Sequence, residues 1–219
     1  MDRTKVEAAK TAVCLVAKKM AEAGLTAGTW GNVSQRVDDE YMVITPSGMD
    51  YAKLFPENMV LVNLRTHEYE GELKPSIEVP VHAAVYLARP EAGGIVHTHS
   101  TAALTVASAR KPIPAICEDQ VQILGGDVRV APYVMPGSEE LAEGVVEALK
   151  DRAGALMANH GAIALGRDVN EALTGAVVLE KTARIFLDAM AIGGAVELPE
   201  EDCAMFHDFF LHKYGQGKG

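Results

Sequence analysis

His97 and His99 stand two apart in Val96-His97-Thr98-His99, and in an extended strand that spacing sends both imidazoles to one face, where they can address a single ion. His160 follows the apolar run Ala155-Leu156-Met157-Ala158 in Asn159-His160-Gly161, where a strand end meets a turn that glycine permits. A third imidazole there completes the kind of His₃ set that holds a catalytic zinc. Glu78 ends Lys74-Pro75-Ser76-Ile77-Glu78, at the junction of a turn and a helix. Its carboxylate either reaches the same ion or serves the N–H groups and dipole of that helix. His82 lies four residues on and shares the face, so Glu78 with His82 is a competing ligand pair. His67, His207 and His212 sit in polar or amphipathic settings and read as surface or packing residues.

A second chemistry is anion binding. Thr26-Ala27-Gly28-Thr29-Trp30-Gly31-Asn32-Val33-Ser34 crowds small residues around a potential turn, where glycine lets the backbone approach a ligand and the Asn32 amide can assist. Thr45-Pro46-Ser47-Gly48 offers another turn with a hydroxyl and an accessible N–H, and Ser76 lies two residues from Glu78. Each of these is also compatible with an ordinary turn.

These residues need a scaffold. Val6, Ala9, Val13, Val16, Ala17 and Met20 recur at helical spacing before Gly24, so the chain opens with an amphipathic helix. Tyr41 to Thr45 and Met59 to Leu64 read as strands between Pro46, Gly48, Pro56 and Gly71. Glu78 to Ala88 turns helical, with Pro80 tolerable in the first turn and Ser76 available as a cap. Further strands are expected at Ile95 to His99, Val128 to Tyr133 and Ala155 to Ala158. Helices are expected at Ala102 to Ala109, Glu139 to Lys150, Asn170 to Met190 and Glu201 to His212. The alternation implies an α/β layer fold.

The chain has 219 residues with 48% hydrophobic and 23% charged content, enough to bury a core, and no linker or repeat divides it, so residues 1–219 are expected to form one domain. A formal net charge of -10 without a basic cluster argues against nucleic acid. It does not exclude a phosphorylated small molecule, which backbone N–H groups can hold locally. Cys14, Cys117 and Cys203 are widely spaced and odd in number, as expected of thiols in a reducing compartment. No leader-like segment or apolar run of membrane-spanning length is evident, so no membrane association and a cytoplasmic location are expected.

Taken in order, Gly31-Asn32-Val33-Ser34, Ile44-Thr45-Pro46-Ser47-Gly48, Pro75-Ser76-Ile77-Glu78, His97-Thr98-His99 and Asn159-His160-Gly161 resemble the class II aldolase/adducin family. The resemblance runs from the first helix to Tyr214-Gly215-Gln216. It implies a three-layer α/β/α fold with a central, mostly antiparallel sheet, a homotetramer, and active sites between subunits. It makes Glu78, His97, His99 and His160 the ligands of one Zn²⁺ per subunit, and Gly31, Asn32, Ser47, Gly48 and Ser76 the binders of a sugar-phosphate substrate. Glu78 doubles as a proton carrier. Tyr214 matches an acid–base tyrosine contributed across a subunit interface, while Glu118 and Asp119 fall where the family's aldolases and 4-epimerases place further proton-transfer groups.

The implied reaction is reversible cleavage of a ketose 1-phosphate to dihydroxyacetone phosphate and an aldehyde. Sugar-phosphate 4-epimerisation is the alternative reaction, and dehydration or decarboxylation of related phosphates also belongs to the scaffold. An adducin-like interaction module is the non-catalytic alternative. Ile77 departs from the pattern, replacing a second serine of the phosphate site.

Overall fold

In the computed structural model, which describes residues 2–215, seven strands build one sheet. They are β1 (Asn32–Arg36), β2 (Tyr41–Ile44), β3 (Val60–Asn63), β4 (Gly94–Thr98), β5 (Arg129–Ala131), β6 (Gly154–Met157) and β7 (Gly161–Gly166). Their order is β3-β2-β1-β4-β7-β6-β5, and every pair is antiparallel except β5 with β6. The helices among the described residues are α1 (Arg3–Glu22), α2 (Val79–Ala88), α3 (Thr101–Ser108), α4 (Glu118–Leu124), α5 (Glu139–Leu149), α6 (Val169–Ala191) and α7 (Glu200–His212).

Strand alternation divides the core into layers. Val33, Val43 and Val96 point toward α1 and α6, where they meet Val13, Met20, Ala172 and Ala176. Met42, Ile44, Val62, Ile95 and Ile163 point the other way, under α2 and α5. The result is the expected α/β/α stack. α1 forms because Asp2 accepts from the Thr4 N–H at 2.9 Å and because Val6, Val13, Val16 and Met20 are all buried on one stripe. Each such side chain contributes about 1.5–3 kcal/mol by leaving water.

Two strands and one helix were not evident from the sequence pattern. In β1, the residues facing α2 are Asn32, Ser34 and Arg36, so a polar row lies where an apolar one would have signalled a strand. β7 is bounded by Gly161 and Gly166 and reads as turn-rich, although it pairs on both sides in the sheet interior. α4 has only seven residues, too few to show a helical period. No helix among the described residues is long and apolar enough to cross a membrane. Cys14 is buried, Cys117 and Cys203 are half-buried, and all are free thiols.

Candidate metal centre

β4 carries His97 on the same face as Ile95, toward α2, and His99 follows directly after the strand ends. His160 comes from the tight connection between β6 and β7, where Asn159 takes a left-handed conformation (φ 57°) and the His160 N–H returns to the Met157 carbonyl at 3.0 Å. The strands approach so closely there that a Cβ on Gly161 would lie 2.2 Å from the Thr98 carbonyl oxygen, which is why glycine follows the histidine. Glu78 is the N-cap residue of α2, and its own N–H donates to Ser76 Oγ at 3.3 Å. Ser76 therefore supports the residue before the helix instead of capping the helix itself.

The three imidazoles meet. Their ring centroids are 4.8–5.0 Å apart with interplanar angles of 66–79°, and one nitrogen from each lies within 4.8 Å of the others. His97 Nε2 is 3.0 Å from His99 Nε2 and 3.2 Å from Glu78 Oε2, while Glu78 Oε1 is 3.1 Å from His160 Nε2. A tetrahedral zinc with bonds of roughly 2.0–2.1 Å has donor–donor edges of about 3.3 Å, so the spacing suits such an ion.

Local hydrogen bonds support the same reading. The Nδ1–H of His97 donates to the Ala162 carbonyl at 2.9 Å, which turns Nε2 toward the cluster. Glu78 Oε1, buried, has no hydrogen-bond partner among the described residues. Lone pairs packed this tightly repel one another unless positive charge lies between them, so the donor set fits a divalent cation.

Burial, reinforced by the neighbouring imidazoles, pushes His99 down to about 3 and His160 down to about 4. Both are thus in the neutral form that a metal needs. Burial alone would raise the Glu78 pKa, but His97, His160 and the Asn32 amide outweigh it and hold the carboxyl below its ordinary range.

His82 is not part of this cluster. It is fully buried behind Glu78, with Nε2 on Asn32 Oδ1 at 2.5 Å and Nδ1 on Ser34 Oγ at 2.6 Å. The Glu78/His82 ligand pair is accordingly rejected: four-residue spacing set the two on one helix face, but the strand beside that face claims His82.

A cleft of about 360 Å³ opens over the histidines, and Gly31, Asn32, Ser47, Gly48 and Ser76 all line it together with Glu78, His97, His99 and His160. Two loops form its wall. Ser47 N–H donates to the Lys74 carbonyl at 2.9 Å and Ser76 N–H to the Thr45 carbonyl at 3.1 Å, zipping residues 45–47 against 74–76. Those two amides are spent, which leaves this wall the Ser47 and Ser76 hydroxyls and the Gly48 N–H for an anion, with Ser47 and Gly48 exposed. Gly31 has φ 79°, and a Cβ on it would lie 2.7 Å from the His97 carbonyl oxygen, so glycine is required twice over. Asn32 is buried and donates Nδ2–H to Glu78 Oε2 at 3.0 Å, so at least one of its amide hydrogens is directed at the carboxylate.

The proton-transfer candidates lie elsewhere. Glu118 is exposed in the first turn of α4, and Asp119 is ion-paired with Lys181. Tyr214 is 55% exposed and packs against Phe209 and Phe210 with ring centroids 6.3 and 5.7 Å away. None of the three lines the cleft of its own chain. Gln216, beside this tyrosine, lies outside the described residues. His207 bonds the Gln122 carbonyl and His212 pairs with Asp208, consistent with packing and surface roles.

The chain is similar to proteins of known activity over most of its length. It is 39% identical over 186 residues to a 5-deoxy-D-ribulose 1-phosphate aldolase from Bacillus thuringiensis serovar kurstaki, covering 84% of this chain and 87% of that one. It is 36% identical over 211 residues to an L-fuculose phosphate aldolase from Escherichia coli, covering 96% of each. A solved structure of an L-fuculose 1-phosphate aldolase superposes with a TM-score of 0.89 at 33% identity, covering 93% of this chain and 96% of the other. Residues 11–187 match the family model described as the Class II Aldolase and Adducin N-terminal domain, and the chain belongs to that family.

Proposed function

We propose that this chain is a zinc-dependent aldolase that reversibly cleaves a ketose 1-phosphate to dihydroxyacetone phosphate and an aldehyde. The observation that carries the reading is the convergence of His97, His99, His160 and Glu78 on the floor of a cleft walled by Ser47, Gly48 and Ser76. A non-catalytic module has no use for three imidazoles and an ionised carboxylate meeting there. The similar proteins named above act on L-fuculose 1-phosphate and 5-deoxyribulose 1-phosphate. Both are deoxy sugars that end in a methyl group, and we take that substrate class for this chain.

His97, His99, His160 and Glu78 would hold the zinc, which supplies Lewis-acid polarisation of the ketose carbonyl and its neighbouring hydroxyl. Gly31, Asn32, Ser47, Gly48 and Ser76 bind the phosphate and set the C3–C4 bond over the histidines. As that bond breaks, its electron pair moves toward the C2 carbonyl and the C4 hydroxyl gives up its proton. Tyr214, with Glu118 or Asp119, takes that proton from the departing aldehyde, and Glu78, after taking up a proton from water, passes it to C3, so that one proton is released and one consumed.

Because those three groups do not line the cleft of their own chain, they would arrive from a neighbouring subunit of a cytoplasmic homotetramer. Exposed apolar residues support such an interface: Trp30 and Ile77 on the cleft itself are 63% and 67% exposed, and Met135 is 71% exposed.

The test is a panel of ketose phosphates with metal-replete protein, coupling dihydroxyacetone phosphate to a reporter. Release from L-fuculose 1-phosphate or 5-deoxyribulose 1-phosphate is expected. Inversion of L-ribulose 5-phosphate without release would replace the aldolase by the epimerase. Absence of both zinc binding and turnover would leave an interaction module.

A further inference from the structure

α2 is apolar except along one stripe. Glu78, His82 and Tyr86 are four residues apart, and all three are buried. β1 beneath it shows a matching row, Asn32, Ser34 and Arg36, two residues apart on one face. Four helical residues rise about 6.0 Å and two strand residues about 6.6 Å, so the rows stay in register. The contacts follow step by step. Asn32 Nδ2 lies 3.0 Å from Glu78 Oε2, His82 Nε2 2.5 Å from Asn32 Oδ1, His82 Nδ1 2.6 Å from Ser34 Oγ, and Ser34 Oγ 2.9 Å from Tyr86 Oη. The far end is pinned by the Arg36 guanidinium, which stacks 4.8 Å over the Tyr86 ring and donates to the Tyr86 carbonyl.

Each link dictates the next. An ionised Glu78 only accepts, so the Asn32 nitrogen faces it and the Asn32 oxygen faces His82. That oxygen only accepts, so His82 Nε2 carries the ring proton. A neutral ring then presents a lone pair at Nδ1, the Ser34 hydroxyl donates to it, and the Ser34 oxygen accepts from Tyr86.

We infer that His82 is a positioning residue for Glu78, acting through the Asn32 amide as the centre of a one-directional hydrogen-bond chain that runs from Tyr86 to the carboxylate. The inference rests on the role proposed above for Glu78 as ligand and proton carrier. Without the chain, Asn32 is free to rotate its oxygen toward the carboxylate, and Glu78 loses its fixed aim. Outer partners of this kind change metal affinity or activity by about 10–100-fold.

The experiment has an arm that needs no turnover. In metal-free protein labelled with ¹⁵N-histidine, His82 is expected as the Nε2–H tautomer with a bare Nδ1; an Nδ1–H tautomer would overturn the inference. His82→Phe keeps a flat ring without the bonds, and His82→Gln returns an N–H near the Nε2 position. For the Phe variant, zinc affinity by chelator competition and kcat are each expected to fall by about 10–100-fold with KM little changed, and the Gln variant to recover most of both. Wild-type zinc affinity and kcat in the Phe variant, or equal losses in both variants, would reduce His82 to a packing residue. Should the Phe variant not fold, Ser34→Ala removes the next link while leaving His82 in place, and is expected to lower both quantities in the same direction; no change would count against the chain. If the wild type cleaves no ketose phosphate, the aldolase reading fails alone, and the tautomer and zinc arms still decide the role of His82.

Discussion

The metal centre and the proton-transfer candidates are built in opposite ways. His97, His160 and Glu78 sit on or beside β4, β7 and α2, largely buried, with the His97 and Glu78 side chains held by hydrogen bonds and His160 placed by its backbone before any ligand arrives. Glu118 and Tyr214 lie exposed on or just after α4 and α7, and Asp119 is occupied by Lys181. One half of the proposed site is thus preorganised inside a single chain, whereas the other has exposure but no address within it. A site divided in this way would keep its buried half at the sheet and its exposed half on helices that could meet a neighbour.

The largest expected effect comes from the buried half. His97→Ala should lower kcat/KM by about 10³-fold, the equivalent of several kcal/mol of lost charge stabilisation, in the dihydroxyacetone phosphate assay. Tyr214→Phe should lower kcat by about 10²-fold while leaving zinc content and melting temperature unchanged, as expected of a group that handles only a proton. The two variants, denatured and refolded together, should regain turnover because mixed assemblies rebuild intact sites. Failure to complement would place Tyr214 outside the chemistry and collapse the comparison.

A smaller effect is expected at the cleft wall. Ile77→Ser restores a hydroxyl to the phosphate side and should lower KM by about fivefold, the worth of one net hydrogen bond, with kcat unchanged. A rise in KM would mean that the isoleucine contacts the substrate or a neighbouring subunit favourably.

The last effect is read on stability instead of turnover, and it is one of pH. His82, His99 and His160 are held neutral by burial, at about 3, 3 and 4 against an ordinary 6.5. Between those values the unfolded chain binds protons that the fold refuses, so their contribution is intact above about pH 6.5 and is lost as pH falls toward 4. Urea melts of metal-free protein should show this decline, and His82→Phe should make it shallower.

Much of this site could be read from the sequence because its ligands are concentrated in short motifs at strand ends. His-x-His and Asn-His-Gly carry their own geometry, and the α1 stripe announced its buried face. What could not be read depended on partners across the sheet. β1 hid because its α2-facing row is polar, and without β1 the four-residue spacing of Glu78 and His82 looked like a ligand pair. Asn32 reads as a phosphate binder in its loop context, and only the packing of α2 on β1 shows that its amide also donates to Glu78. β7 hid behind its terminal glycines, one of which is needed for the close approach that brings His160 to His97.

Calorimetric titration of metal-free protein with zinc, run in parallel on His97→Ala, tests the central claim most directly. One equivalent should bind per wild-type chain, and binding should be lost in the variant. No binding by the wild type, or equal binding by both, would contradict it.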